Sequence, residues 1–270
     1  MSALIIAQRN VHRILRIWIT VMNNVRMRDR LVKILQYGSQ MLLGYWGAVL
    51  SRQVRDALEI LRKTSSSSRK AFWILKSINN MGIGMQQWRD GYFISTSTLI
   101  QKLDAIENIF LLWYYWCETK TYFARSKLFG LKEKAIDYYT NLSWALGDFA
   151  YFLAAGLRLK ENIYRRKDIE EKLKAQTLNS SMDAHAVTEN THQQELLELQ
   201  IANERLQSNF LIGILELVVS LEYAGVYQFL VGRRLHGTYV GLAGVFSSAL
   251  IIRNGVLDAV AAEDRRESDE

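Results

Sequence analysis

The amino-acid sequence predicts an all-α protein in which amphipathic helices accompany one or two membrane-embedded helices, as in a membrane-associated helical bundle. The 270 residues contain no proline, although average usage of about 5% would give roughly 13, and proline interrupts helices. Good helix formers occur throughout, whereas the alternation of polar and apolar residues typical of strands is scarce. A hydrophobic fraction of 49% is ordinary for a soluble chain, so we expect at most two segments to lie in hydrocarbon.

The positive charge is concentrated in the N-terminal part of the chain. Residues 1–70 contain 13 Lys and Arg but only 3 Asp and Glu, within a net charge of +7 for the whole protein. Such a balance indicates a polyanionic partner, either nucleic acid or an anionic lipid surface. The basic residues alternate with strongly apolar helical faces, which favours an anionic phospholipid membrane and no nucleic acid.

These patterns divide the chain into five regions. They are a basic N-terminal extension (1–27), an amphipathic helical region (28–174), a polar linker with the start of a helix (175–207), membrane-embedded C-terminal helices (208–256) and an acidic tail (257–270).

The first region contains no acidic residue before Asp29. Val11, Ile14 and Trp18 fall at helical spacing beside Arg13, a pattern similar to that of a mitochondrial presequence. The alternative is an ordinary basic amphipathic helix, and we favour it because the composition continues smoothly into the next helix. A mitochondrial location remains a minor alternative.

The amphipathic region begins with a helix over residues 28–50, whose apolar residues line one face. This face could pack in a bundle or insert into lipid, and Asp29 can pair with Lys33 at i,i+4. A second helix is predicted from Arg52 to Lys63, ending in the serine run 65–68.

The segment 68–87 is predicted to form one amphipathic helix at the boundary between headgroups and acyl chains. Basic residues would attract phosphate groups and bulky apolar residues would insert. The predicted membrane-binding residues are Arg69, Lys70, Phe72, Ile74, Leu75, Lys76, Ile78 and Met85. The alternative is a helix buried in a bundle.

Further apolar segments follow. Residues 99–127 contain a cluster of Trp and Tyr, which are enriched at membrane interfaces and also fill helical cores. Residues 142–159 are apolar apart from Asp148 and Arg158, which favours an amphipathic or re-entrant helix over a span. Residues 175–194 are polar without periodicity and predict a disordered linker.

The best candidate for a membrane span is the segment 235–252, which has 18 residues and no formal charge. The preceding apolar segment, 208–232, carries Glu216 and Glu222, so its insertion would require partners for both acids. A stripe of small residues would let helices approach closely in lipid. The predicted helix-packing residues are Gly237, Gly241, Gly244 and Ser248.

The order of these features resembles the peroxin-11 family of peroxisomal membrane proteins. The family's opening Arg-Asp-Lys-Leu-like motif, followed by Gln-Tyr, is matched by Arg28, Asp29, Arg30, Leu31, Gln36 and Tyr37. Its Ser-Arg-Lys element is matched by Ser68, Arg69 and Lys70, and its Gly-rich ending with paired serines by Gly241, Leu242, Gly244, Ser247 and Ser248. The resemblance covers about residues 26–256.

The resemblance implies residence in the peroxisomal membrane, or in the glycosomal membrane of an organism that has one. It also implies self-association, elongation of the membrane before organelle fission and proliferation, and recruitment of dynamin-type fission machinery. Some family members have been proposed to conduct metabolites.

The leading hypothesis from the sequence is therefore membrane remodelling by helix insertion. A pore for small metabolites is the alternative, in which Asp148, Glu216 and Glu222 would face a hydrated path. A basic helical scaffold that binds nucleic acid ranks below both. No enzyme motif is present, and the single cysteine, Cys117, predicts neither a disulfide nor a thiol-based metal site. We expect no catalytic residue, cofactor or metal.

Overall fold

The computed structural model of the protein describes residues 2–74, 76–94, 96–125, 133–178 and 185–269. Regular secondary structure in these residues is entirely α-helical, which confirms the predicted fold class. The helices are α1 (Ser2–Asn23), α2 (Val25–Trp46), α3 (Arg52–Phe72), α4 (Lys76–Arg89), α5 (Leu99–Arg125), α6 (Glu133–Leu178), α7 (His185–Tyr223), α8 (Val226–Val231) and α9 (Gly237–Asp269).

Capping side chains mark the starts of α2, α3 and α5; at α3 the Ser51 hydroxyl accepts from the Val54 N–H at 3.4 Å. The Asn24 side chain accepts a hydrogen bond from the Arg26 N–H at 2.9 Å and starts α2. Thr98 and Gln101 form a reciprocal capping box before α5, in which each side chain accepts from the other's backbone N–H. Such caps satisfy the free N–H groups of a first turn.

Six helices form a closed ring. α2 packs on α3, α3 on α5, α5 on α6, α6 on α7, α7 on α9, and α9 returns to α2. Neighbours in the ring run antiparallel; on α5 and α6, for example, Asp104 pairs with Arg158 while Thr121 contacts Asp137. Outside the ring, α4 packs on α5, α8 on α7, and α1 against α9 and α2.

The polar end of α6 and the start of α7 form a helical hairpin. Residues 175–178 and 185–194, which we expected to belong to a disordered linker, are helical, and the intervening 179–184 lie outside the described residues. The hairpin is held by polar pairs, including Arg165 with Glu195 at 2.5 Å and Asn162 with Asn203 at 3.4 Å. The two helices are therefore held together by polar pairs, and the segment needs no apolar periodicity to form a helical hairpin.

The prediction of one continuous helix over 68–87 is wrong. α3 ends at Phe72 and α4 begins at Lys76. Trp73 turns into the interior, where its ring lies 5.6 Å from that of Tyr114 and 5.7 Å from that of Tyr115. Burial of this large aromatic side chain ends the helix without the proline or glycine that normally marks such a break.

The acidic end of the chain continues α9 and packs on α1. Glu263 is buried and accepts from the Arg16 Nε at 2.5 Å, and Asp264 pairs with Arg13. We had expected residues 257–270 to form a separate acidic tail. The basic face of α1 provides the opposite charge that holds this segment to the bundle.

Beside its apolar clusters, the interior contains several charged groups, and many large apolar side chains are exposed. Lys33, Arg69 and Glu216 are buried, whereas Trp88 is 72% exposed and Phe229 is 87% exposed. In water-soluble proteins charged residues are rarely buried to this extent, and broad exposed apolar areas mark contact with a membrane or a partner.

Two helical segments of the described residues are long and apolar enough to cross a membrane. They are Gln194–Tyr223 in α7 and Gly237–Arg266 in α9, identified by length and composition. Both overlap the region 208–256, for which membrane-embedded helices are predicted. The fold is therefore that of an all-α, membrane-associated helical bundle.

Candidate functional site

Glycines bring α9 into backbone contact with α2. A Cβ atom on Gly241 would lie 2.6 Å from the backbone nitrogen of Met41, and one on Gly244 would overlap the ring of Tyr37. No larger residue fits at either position unless the helices separate. This close approach is the packing that small residues allow between membrane helices.

The other two predicted helix-packing residues lie in the same contact. A Cβ on Gly237 would lie 3.9 Å from the Cγ of Gln40. Ser248 is completely buried, and its hydroxyl donates to the Gly244 carbonyl at 2.7 Å. The small-residue stripe of α9 is therefore occupied by α2 of the same chain.

A buried ion pair joins α2 to α3. The Arg69 Nε donates to an Asp29 carboxylate oxygen at 3.0 Å, and the same guanidinium donates to the Gln36 side chain at 2.8 Å. Burial alone would raise the pKa of the Asp29 carboxyl, but Arg69 and Arg30 outweigh it and hold this pKa below its usual value. Asp29 therefore stays ionised and keeps Arg69 inside the bundle.

A second buried cluster joins α2 to α7. Glu216 accepts hydrogen bonds from Arg30 at 2.8 Å and from the Lys33 ammonium at 2.6 Å. Lys33 also lies over the ring of Trp144, 5.8 Å from its centroid. The expected pairing of Asp29 with Lys33 along α2 is wrong, because each residue pairs with another helix.

Two of the predicted phosphate-attracting residues are buried. Arg69 lies in the ion pair with Asp29, and Lys70 forms an ion pair with Glu118 of α5. Removing a charge from water is costly unless it is paired, and these partners offset that cost. In this structure both side chains hold helices together and neither faces solvent.

The remaining predicted membrane-binding residues differ in exposure. Phe72 is 38% exposed and Ile74 is half-buried, whereas Leu75 lies outside the described residues. Ile78 and Met85 are 65% and 56% exposed. The exposed apolar residues thus belong mainly to α4.

Lys76 occupies the first position of α4. Its Nζ lies 4.4 Å from the ring centroid of Tyr115 and 5.8 Å from that of Trp73. No carboxylate of the described residues lies within ion-pairing distance of it. Burial, together with the neighbouring arginines Arg30 and Arg26, lowers the pKa of Lys76 to about 8.

A partly open cavity of about 860 Å³ lies between the ring helices and α4, and many ionisable and polar side chains line it. Its ionisable lining residues include Arg26, Arg30, Lys76, Glu107, Asp148 and Glu216, and burial raises the pKa of Asp148 well above its usual value. Burial and the neighbouring Asp104 raise the pKa of Glu107 to about 7. One carboxylate oxygen of Asp148 is buried without a hydrogen-bond partner. Cations from α2 and α4 thus share the cavity with acids from α5, α6 and α7.

The three acids that sequence analysis assigned to a hydrated path divide into two groups. Asp148 and Glu216 line the cavity. Glu222 instead accepts a hydrogen bond from the Leu235 N–H at 2.9 Å and closes the turn between α7 and α9.

The outward face of α4 is apolar. Ile78, Met81, Met85 and Trp88 recur at intervals of three and four residues and are each more than half exposed. Two polar residues of α4, Ser77 and Asn80, face inwards: both are buried, and Asn80 donates to the Asn108 side chain of α5 at 3.1 Å. The helix therefore has the amphipathic arrangement expected at a lipid surface rather than in water.

Sequence reasoning missed the pairing of the buried charges. Lys33 and Arg30 were visible as basic residues of an amphipathic helix, and Glu216 as an acid within an apolar segment. A buried acid requires a partner. Glu216 lies more than 180 residues from Arg30 and Lys33 along the chain, so no local pattern identifies them as its partners.

Comparisons with known proteins give one family. The family model described as peroxisomal biogenesis factor 11 (PEX11) matches residues 15–255. No curated protein and no solved structure gave a significant match.

Proposed function

The chain belongs to the peroxisomal biogenesis factor 11 family and is thus a peroxisomal membrane protein involved in peroxisome proliferation, and within that role we propose that it bends the membrane by inserting the apolar face of α4 into one leaflet. The observation that carries this proposal is the orientation of α4. Asn80 and Gln87 donate hydrogen bonds to α5, and four bulky apolar residues, Ile78, Met81, Met85 and Trp88, are exposed.

The chemistry of this face suits shallow insertion. Met81, Met85 and Trp88 border an apolar groove that continues onto Phe93 and Ile109. Burying one such side chain in an apolar medium contributes about 1.5–3 kcal/mol, so the four outward residues together offset the cost of opening the headgroup layer. A helix inserted at this depth widens one leaflet relative to the other, and many copies curve the bilayer.

The proposal assigns membrane contact to fewer residues than the sequence did. Ile78 and Met85 remain inserting residues, and Met81 and Trp88 join them because they share the face. Arg69 and Lys70 support α4 indirectly, because their ion pairs hold α3 against α2 and α5.

The test is tubulation of vesicles that contain anionic phospholipid by the reconstituted full-length protein. We expect the double substitution Ile78→Glu and Met85→Glu to abolish tubules, because each carboxylate removes an apolar contact and resists burial among acyl chains. The measurement is the fraction of vesicles tubulated, counted by electron microscopy at equal protein-to-lipid ratio.

The matched control places the same change elsewhere on the exterior. Ile163 and Tyr164 are exposed on the charged part of α6, and Ile163→Glu with Tyr164→Glu should leave tubulation intact. If the α4 variant tubulates as well as the wild type, helix insertion at α4 is not the mechanism.

Self-association and recruitment of dynamin-type fission machinery are part of the same proposal. Many copies must act together to bend a bilayer, which supports self-association. Because the glycine stripe of α9 is already covered by α2, contacts between copies would use other exposed apolar faces. Crosslinking of the protein in peroxisomal membranes measures this association.

A second candidate function is a pore for small metabolites. The closed ring and its charged cavity favour it. However, the outer face of α3 carries exposed charges, including Arg55, Asp56 and Lys63, and such charges are costly against lipid. A single chain would therefore need another copy, or water, beside α3.

Flux measurements decide this second candidate. Proteoliposomes containing the full-length protein should release a small anionic or cationic solute, and Arg26→Gln should change the ratio of the two fluxes because it removes a positive charge from the cavity lining. Absence of flux for both solutes would remove the pore.

A further inference from the structure

Two buried N–H donors at one end of the cavity have no acceptor among the described residues. They are the indole nitrogen of Trp73 and the Nε of Arg30. Trp73 is 5% exposed, and both residues line the cavity. Native proteins satisfy almost all buried donors, so a pair of unsatisfied donors in one cavity indicates a place for an acceptor.

Lys76 adds a positive charge to the same end. Its ammonium rests between the rings of Trp73 and Tyr115, and no carboxylate of the described residues pairs with it. Arg69, which stacks over Trp73 with its Cζ 4.7 Å from the ring centroid, is already committed to Asp29. Arg30 is likewise paired with Glu216 through one terminal nitrogen, which leaves its Nε free. The positive charge without a paired acid near Trp73 is therefore that of Lys76.

Two helices begin at this end of the cavity with basic residues. α2 has Arg26 in its first turn, α4 has Lys76, and neither first turn contains an acid. The partial positive charge of a helix N-terminus favours anions and disfavours cations. An anion placed between the two N-termini would offset both the helix dipoles and the side-chain charges.

We propose that this end of the cavity binds the phosphate group of a ligand, held by the Lys76 ammonium, the Arg30 guanidinium and the Trp73 indole N–H. Phosphate oxygens accept several charge-assisted hydrogen bonds at once, which suits three donors from residues that line one cavity. The site requires neither membrane bending nor solute flux and is independent of both proposed functions.

The size of the cavity and its acidic lining residues describe the rest of the ligand. A volume of about 860 Å³ is larger than a bare phosphate needs and falls in the range of small-molecule sites. The buried oxygen of Asp148 and the carboxyl of Glu107 would accept hydrogen bonds from hydroxyl or amine groups. The ligand class is therefore a phosphate ester with polar substituents, either the headgroup of a phospholipid or a soluble phosphorylated molecule.

The experiment uses the full-length protein purified in detergent free of phospholipid. Two probes are titrated by calorimetry: inorganic phosphate, and dioctanoyl phosphatidic acid below its micellar concentration. We expect saturable binding of at least one probe by the wild type. Lys76→Gln and Trp73→Phe should each weaken binding about tenfold, because each removes one donor to an anion, while Trp73→Phe retains most of the ring packing.

Three controls make the outcomes decisive. Lys63→Gln removes a lysine that is 70% exposed on α3 and should leave the affinity unchanged. Dioctanoylglycerol, which has the acyl chains without phosphate, should not bind at this site. Circular dichroism checks that each variant is folded. If Lys76→Gln does not fold, Trp73→Phe still tests the site.

The two probes separate the sources of the phosphate. Binding of inorganic phosphate supports a soluble ligand, and binding of phosphatidic acid alone supports a lipid headgroup. The proposal is overturned if neither probe binds saturably, if Trp73→Phe binds as tightly as the wild type, or if dioctanoylglycerol binds as well as phosphatidic acid.

Discussion

At Gly244 the separation of α2 and α9 is set by the absence of a side chain. The ring of Tyr37 occupies the space that a Cβ would need, and Tyr37 is only 1% exposed. Neither helix can give way locally, because Gly241 makes an equally close contact one turn away. Residues of this kind determine the width of the ring.

We expect Gly244→Ala to lower the free energy of unfolding by about 1–3 kcal/mol, the usual cost of overpacking. Gly82→Ala is the matched control, because no atom lies within 4 Å of its Cβ position on α4. That change should be neutral or stabilising by up to about 1 kcal/mol. Denaturant unfolding in detergent measures both; equal effects would contradict the packing described.

The charged residues show how much of a single side chain's role can be predicted from the sequence. The basic character of Arg69, Lys70 and Lys76 is evident in the sequence, but their surroundings are not. Lys70 pairs with Glu118 because α3 packs against α5. Adjacent basic residues can therefore have different roles, which depend on tertiary contacts.

At the scale of helices, periodicity predicted the amphipathic segments, and the break between α3 and α4 was missed. A helical wheel assumes one continuous helix. The break rotates the residues before Trp73 relative to those after Lys76. Residues that share one face on a continuous helical wheel therefore lie on different surfaces in the structure. Within α4 alone, where no break occurs, Ile78 and Met85 do share an exposed face.

The pairing of α2 with α9 can be tested by a disulfide. Gly237 and Gln40 face each other, with the Cβ position of Gly237 3.9 Å from the Gln40 Cγ, so cysteines at both positions would bring their sulfur atoms close together. In a Cys117→Ser background, we expect Gly237→Cys with Gln40→Cys to crosslink within one chain on oxidation. The product should migrate as a monomer of altered mobility on a non-reducing gel.

The control pairs Gln40→Cys with Gly82→Cys, a position with no neighbour within 4 Å, and should not crosslink within the chain. A covalent dimer from the Gly237 and Gln40 pair would show instead that the glycine stripe packs between copies.

At the scale of the whole molecule, the all-α class and the two candidate spans were predictable because they depend on composition and local pattern. The closed ring was not. The ring depends on contacts between residues far apart in sequence, such as Glu216 with Lys33. It also depends on polar residues, which a helical-wheel analysis of apolar faces does not detect. The cavity follows from the ring and was equally hidden, although Asp148 was marked as an ionisable residue in an apolar helix.

The contact between α1 and the end of α9 also limits how the chain can cross a bilayer. Arg13 lies beside Asp264 and Arg16 beside Glu263, so the two ends of the described chain meet on one side. A path that starts and finishes on the same side crosses an even number of times. Epitope tags placed near either end should both be digested, or both be protected, when intact peroxisomes are treated with protease; protection of one tag alone would contradict this parity.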